Sequence, residues 1–395
     1  MTRLVARLLQ RLLGRLPIGW LQLTHNRTRL AAALAGVAFA NILIFVQLGF
    51  LGALIESIGL PYRMMNAEIL VAASDANTLS DGSPLPRQRL YQTLAVPGVA
   101  AATAVYYNRL DWKQPDGTIR TLDVFGIDPS AQAFRSAEIN AELDRLKLSD
   151  TALIDRKTRN VPKDLFPSIG AGRPYQFEAN NRSITVVGTF EIGGGFSADG
   201  YLVVSDQTFL RLFKRRVPGA PNMIFVKVEP GVPAAAVVDR LRAALPASDT
   251  TIRTVAEAVA SDQRFQTTQK PIGIVFGFGI VIGVLVGVII VYQVLSSDVA
   301  DHLREYATFK AIGYKRGFFL GIVFEEALVL ALLGFIPGLV IALLLYQIIA
   351  ASTGLPISMP GTRPLLVLMG TLAMCTLSGA IATRRLERAD PADLF

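Results

Sequence analysis

Residues 30–55 carry no charged side chain, and only Asn41 and Gln47 among them are strongly polar. A helix that crosses a bilayer needs about 20 predominantly apolar residues. Three further stretches meet that length: 271–295, also uncharged; 318–350, interrupted by Glu325, Glu326 and Pro337; and 364–383. Inside hydrocarbon each backbone polar group must be satisfied within its own segment, so all four are predicted to be helices. A secretory signal has an apolar core of about 7–15 residues. The first stretch is far longer and has 29 residues before it, so it reads as a span.

The 395 residues are 51% hydrophobic and 18% charged, against about 25% charged in an average soluble domain. This excludes a disordered chain, collagen and a coiled-coil rod, and argues against a purely soluble enzyme. The single cysteine, Cys375, excludes an internal disulfide and a cysteine-ligated zinc or iron–sulfur cluster.

The net charge of +8 is distributed as a topology signal. Residues 1–29 hold six arginines and no acid, the loop 296–317 holds Arg304, Lys310, Lys315 and Arg316, and Arg384, Arg385 and Arg388 follow the fourth stretch. The loop 351–363 has only Arg363. Lys and Arg accumulate in short cytoplasmic segments, so both termini and 296–317 are expected inside and 57–270 outside. That large segment has 25 basic and 22 acidic residues, and its near neutrality gives no support to a nucleic-acid partner. The expected fold is therefore an α-helical integral membrane protein with four transmembrane helices and a large α+β extracytoplasmic domain between helices 1 and 2. Its parts are a cytoplasmic arm (1–29), helix 1 (30–56), the outside domain (57–270), helix 2 (271–295), a cytoplasmic loop (296–317), helix 3 (318–350), a short outer loop (351–363), helix 4 (364–383) and a cytoplasmic tail (384–395).

In the arm, Arg3, Arg7, Arg11 and Arg15 recur every four residues among leucines, the pattern of a basic amphipathic helix on an anionic lipid surface. Pro17 and Gly19 are expected to break it. In the outside domain, strands are expected at 67–72, 105–112, 118–125, 183–191, 201–204, 224–228 and 251–255, with helices at 87–94, 205–213 and 233–245. A second lobe is expected around 128–220. The run Gly193-Gly194-Gly195 reads as a flexible turn, because no G-x-x-x-x-G-K-[ST] motif occurs. The two histidines, His25 and His302, both map inside, leaving none outside for a serine triad or a zinc hydrolase. The chain is expected to be no enzyme, to bind no metal or cofactor, and to draw energy from a partner.

Gly273, Gly277, Gly279, Gly283 and Gly287 give helix 2 small-xxx-small steps, which let helix backbones approach closely in lipid. Packing against helix 1 and contact with a second copy are both compatible with them. Glu325 and Glu326 lie about 12 Å from Phe318 along a helix rising 1.5 Å per residue. That is near the inner end, where anchoring is favoured over a proton relay. In the loop, Val299, Leu303, Tyr306, Phe309 and Ile312 are spaced as one helix face, with Gly313 placed to cap it. A polar helix between two spans is read as a plug for a cytoplasmic partner.

The segment VYQVLSSDVADHLREYATFKAIGY (291–314) resembles the permeases of MacB/FtsX-type ABC transporters, and among them the DevC group of heterocyst-type exporters. GWLQLTHNRTRLAAALAGVAFANILIFVQLGF (19–50), ADGYLVVSDQTFLRLF (198–213) and VFEEALVLALLGFIPG (323–338) extend the likeness along most of the chain. The resemblance implies a homodimeric permease of the bacterial inner membrane, with a separate DevA-like ATPase that holds ATP and Mg. It further implies a DevB-like periplasmic adaptor (membrane-fusion protein) and a TolC-like outer-membrane duct. It makes the loop helix the ATPase-coupling element, with Asp298, Asp301, His302, Leu303, Arg304, Glu305, Tyr306, Ala307, Lys310, Ala311 and Gly313 as its residues, and it matches Glu326 to the acid that opens the third span. The cargo implied is an amphiphile such as a glycolipid. FtsX-type signalling to a periplasmic hydrolase without transport is the alternative, and a lipid-modifying activity of the outside domain a third reading.

Overall fold

A computed structural model describes residues 18–302, 305, 308, 312–314 and 316–388. The described residues divide into two compact units, one of helices (within 18–51, 275–348 and 357–388) and one containing the sheet (52–274 with 349–356).

The helical unit is built on α1 (Ile18–His25), α2 (Arg27–Met64), α9 (Pro271–Asp301), α10 (Arg316–Thr353) and α11 (Thr362–Arg388). Among the described residues, four helices are long and apolar enough to cross a membrane, with the candidate spans Arg27–Met64, Pro271–Asp301, Gly317–Thr353 and Thr362–Thr383. All four outrun their expected bounds: α2 continues to Met64, α9 to Asp301, α10 to Thr353 and α11 to Arg388. Helical structure also continues through Pro337 in α10. One apolar cluster gathers Trp20 and Leu23 of α1 with Ala33 and Val37, Leu295 and Val299, Ile322 and Val323, and Cys375 and Ala382. A second gathers Ile44, Phe45, Phe335, Tyr346 and Val367, and the Tyr346 hydroxyl donates to the Phe45 carbonyl.

The glycines of α9 are resolved individually by their surroundings. A Cβ on Gly279 would strike Gln47, one on Gly283 would lie 2.9 Å from Ile44, and one on Gly287 would meet Met374 and Ala40. These three are close approaches to α2 and α11 within the chain. Gly273 is pressed against the backbone of Gln266 and Thr267, whereas Gly277 has nothing within 4 Å.

The sheet unit contains β1 (Ile69–Ala73), α3 (Gln88–Leu94), β2 (Val99–Lys113), β3 (Ile119–Ile127), α4 (Ala137–Glu142), β4 (Thr151–Asp155), α5 (Leu165–Gly170), β5 (Tyr175–Ala179), β6 (Arg182–Phe190), β7 (Gly200–Ser205), α6 (Asp206–Leu212), β8 (Met223–Val228), α7 (Ala234–Ala244), β9 (Thr250–Thr254) and α8 (Val255–Thr268). Its nine strands run in the order β5-β6-β4-β7-β3-β2-β8-β1-β9. Strand β2 belongs to two lobes. Its first half pairs with β8, and its second half, from Tyr106, pairs with β3.

The first lobe, β1-α3-β2-β8-α7-β9, has the βαββαβ order of a ferredoxin-like unit. Val237, Val238 and Leu241 of α7 cover Ile69, Val71, Ile224 and Val226. The second lobe is inserted between β2 and β8. Its core holds Leu122, Val124, Ile154, Val186, Leu202 and Phe209, and the rings of Trp112 on β2 and Phe177 on β5 lie 4.6 Å apart. Helix α8 begins with a capping box made by Thr254 and Glu257. It is tied to the end of α2 by Tyr62 Oη donating to Asp262 Oδ2 (2.8 Å) and Gln263 Nε2 to the Ile55 carbonyl (2.9 Å). Burial pushes the Asp262 carboxyl up from its ordinary range, against bonds from Gln266, Tyr62 and the Leu79 amide.

Candidate coupling site

The end of the helical unit where α1 and α2 begin and α9 ends concentrates its charge. Helix α9 is uncharged until its last turns, where Asp298 and Asp301 fall three residues apart and so share a face. Arg29, in the first turn of α2, reaches both. Its Nη1 pairs with Asp301 and lies 3.6 Å from Asp298 Oδ1, while Nη2 donates to the Val294 carbonyl at 3.2 Å. Asp298 is buried and Asp301 exposed. One guanidinium therefore ties α2 to α9. Its donors form a rigid fork, which a lysine could not reproduce. His302 turns the chain out of α9, its backbone N–H and its ring Nδ1 lying 3.2 and 3.0 Å from the Asp298 carbonyl.

Helix α1 docks on α10 by its backbone. A Cβ on Gly19 would lie 2.9 Å from the Ile322 carbonyl oxygen and 2.9 Å from Glu326 Cγ. Gly19 lies inside a helix that starts at Ile18, while the arm helix that it and Pro17 were expected to end lies outside the described residues. The glycine is needed there for close approach rather than for a turn. Beside it, the Trp20 backbone N–H donates to Glu325 Oε1 at 3.2 Å, and it is one of the first four amides of α1, which have no partner within the helix. Glu326 is fully buried next to Gly19. The two acids expected as inner-end anchors thus stand at the contact between α1 and α10.

Asp298 and Asp301 were expected in the helix of the loop and instead occupy the last turn of α9 itself. This continuity places Val299 in the bundle core with Leu295, Phe319 and Ile322. Glu305 is exposed. Gly313 has φ +102°, a left-handed conformation suited to glycine, just after an Ile312 N–H bond to the Thr308 carbonyl. Ile312 and Tyr314 are exposed on either side of it, and the Tyr314 ring lies 4.4 Å from that of Phe318. Leu303, Arg304, Tyr306, Ala307, Lys310 and Ala311 lie outside the described residues, as does the arginine ladder of residues 3–15. Among the described residues no group of three or more His, Cys, Asp or Glu could hold a metal ion.

Sequence reasoning counted Arg29 only as a topology charge and passed over Gly19 and Trp20 as contacts. A charge pattern was available for the first: an arginine at the start of one uncharged helix and two acids at the end of another. Nothing in the sequence signals the others, because they engage through a backbone amide and an absent side chain.

Two family models match the chain: a MacB-like periplasmic core domain over residues 30–244 and an FtsX-like permease C-terminal region over residues 274–391. No curated protein matches it. Among solved structures it is similar to the periplasmic region of MacB from Actinobacillus actinomycetemcomitans, at 13% identity and TM-score 0.33 over 49% of this chain and 91% of that one. It is also similar to the extracellular domain of the noncanonic ABC-type transporter YknZ from Gram-positive bacteria, at 12% identity and TM-score 0.31 over 44% and 89%. Since the first model alone spans more than half of the residues, the chain belongs to the MacB/FtsX-like family of ABC-transporter permeases.

Proposed function

We propose that this permease is the membrane subunit of a DevC-type exporter. A separate ATPase docks on the segment from Asp301 to Gly313, and its ATP-driven closure moves the helices as rods. The outside domain responds by driving an amphiphile into a periplasmic adaptor and a TolC-like duct. Two copies of the chain act together in the inner membrane with both termini cytoplasmic. The observation that carries this reading is the convergence at the end of α9. Arg29 links α2 to Asp298 and Asp301, Val299 enters the core shared with α10 and α11, and α1 is bound to α10 through Trp20 and Glu325. Load applied to the segment after Asp301 therefore reaches every helix of the unit. Rigid elements with few soft joints carry such a displacement better than mobile ones.

The test is purification of the tagged chain from its native membrane. Recovery of an ATPase together with an adaptor and a duct supports export. Recovery of an ATPase with a cell-wall hydrolase and no adaptor would replace it by signalling.

A further inference from the structure

The glycine run read from sequence as a flexible turn is pinned in place. Asp155, fully buried at the end of β4, accepts backbone N–H bonds from Lys157 (3.0 Å), Ile192 (3.0 Å) and Gly193 (2.6 Å). Gly193 has φ +105°. A Cβ on Gly194 would lie 2.8 Å from the Asp199 carbonyl oxygen, and one on Gly195 would lie 2.9 Å from Cβ of Ser57, near the end of α2. These contacts fix the course of the loop between β6 and β7.

Arg159 closes the arrangement. Its Nη2 donates to the carbonyls of Gly195 (2.6 Å) and Ala198 (2.7 Å), and its backbone N–H donates to the Asp199 carbonyl (3.0 Å). Its Nη1 donates to the carbonyl of Thr353, the last residue of α10, at 3.0 Å. The last carbonyls of a helix lack intrahelical partners and carry partial negative charge, so a guanidinium suits that position. Gly354 follows with φ +63° and its N–H bonded to the Ala350 carbonyl at 2.9 Å, a left-handed cap. A Cβ there would also lie 2.9 Å from Cγ and Cδ of Arg159. The β6–β7 loop thus meets the ends of two long helices, α2 through Gly195 and α10 through Arg159.

We propose that Arg159 is a positioning residue that latches the last turn of α10 to the Gly193–Ala198 loop, so that displacement of that helix end is delivered to the sheet domain. The latch is a property of this chain alone; only the delivery rests on the permease reading.

Hydrogen exchange of the full chain in nanodiscs tests it. In Arg159→Lys, which cannot span three carbonyls, peptides covering 193–199 and 349–356 should gain exchange together, on the order of tenfold for a lost charge-assisted bond. Peptides from β4 and β7 should not change. A gain confined to 193–199, or none, overturns the latch. Should Arg159→Lys fail to fold, Gly354→Ala strains the cap and crowds the Arg159 stem from the other side. It should loosen both segments, and a response in 349–356 alone overturns the proposal. With the co-purified ATPase present, Arg159→Lys should keep ATP turnover and lose export. Unchanged export alongside loosened segments would overturn delivery while leaving the permease reading intact.

Discussion

The backbone N–H of Trp20 donates to Oε1 of Glu325, and a Cβ on the neighbouring Gly19 would press on the Ile322 carbonyl. A short helix ahead of the first span is thereby bound to the third. Its two anchoring points lie 305 residues apart in sequence.

Loss of that contact should be visible at Trp20. Glu325→Ala removes the acceptor, and Gly19→Val inserts a side chain against backbone that cannot yield. In a Trp112→Phe background, each should shift the tryptophan emission to the red and open it to acrylamide, because Trp20 is buried in the native protein. A hydrogen bond to a charged group contributes about 1.5–3 kcal/mol, enough to release α1 without unfolding the bundle.

Arg29→Ala should destabilise the helical unit by more than its partial exposure suggests. Removing one partner of a buried ion pair costs up to about 3–5 kcal/mol, because the other charge stays buried. Arg29 keeps part of its side chain in solvent, so the lower end of that range is expected. Adding Asp298→Asn should recover most of the loss, and adding Asp301→Asn, at an exposed site, little of it. Thermal unfolding of the wild type and the three variants in detergent measures the difference.

Two glycines of α9 should separate packing within the chain from an open face. Gly283→Val forces a side chain into Ile44 and should cost about 1–3 kcal/mol, the range for overpacking. Gly277→Ala meets open space and should be neutral or slightly stabilising in the monomer. If Gly277→Ala instead lowered the fraction of dimer in crosslinking, that face would be the contact between copies.

In the sheet domain, Glu68 bridges β1 and β8, accepting from Lys227 Nζ at 2.8 Å and the Val228 amide at 2.9 Å. Partial burial opposes its ionisation, but these bonds outweigh it and hold the carboxyl below its usual range. A lowered folded value means that the stabilisation is complete above the unfolded pKa of about 4.3 and is lost as pH falls through the folded one. Glu68→Gln should therefore unfold at a lower temperature at pH 7 and show a smaller further drop towards pH 3. Near-ultraviolet dichroism of the domain reports it.

The four long helices were legible because uncharged runs of that length have few alternatives in water or lipid. Strands with alternating burial, such as β6, were found within a residue or two. Strand β4 was missed because all five of its residues are buried, so it shows no alternation, and it lacks the Tyr-Leu-Val-Val run that marked the equally buried β7. Helix α8 was missed although Thr254 and Glu257 spell its capping box, because the run Thr250–Val255, rich in β-branched residues, carries the strand pattern past that cap. At the candidate coupling site, Asp298 and Asp301 were visible as charges but not as the end of a continuous helix. Arg159 left no sequence signal at all. Besides Asp199, whose Oδ1 lies 3.5 Å from its Nε, its partners are carbonyl groups, which every residue carries, so only the fold identifies which three it meets.

The central claim is that the segment after Asp301 receives the stroke of a partner ATPase. It is tested most directly by replacing Arg304 and Glu305 with alanine and measuring ATP turnover and export together, with membrane insertion as the control. Insertion intact, ATP turnover retained and export reduced to background are the expected results. Export unchanged at equal ATP turnover would contradict it.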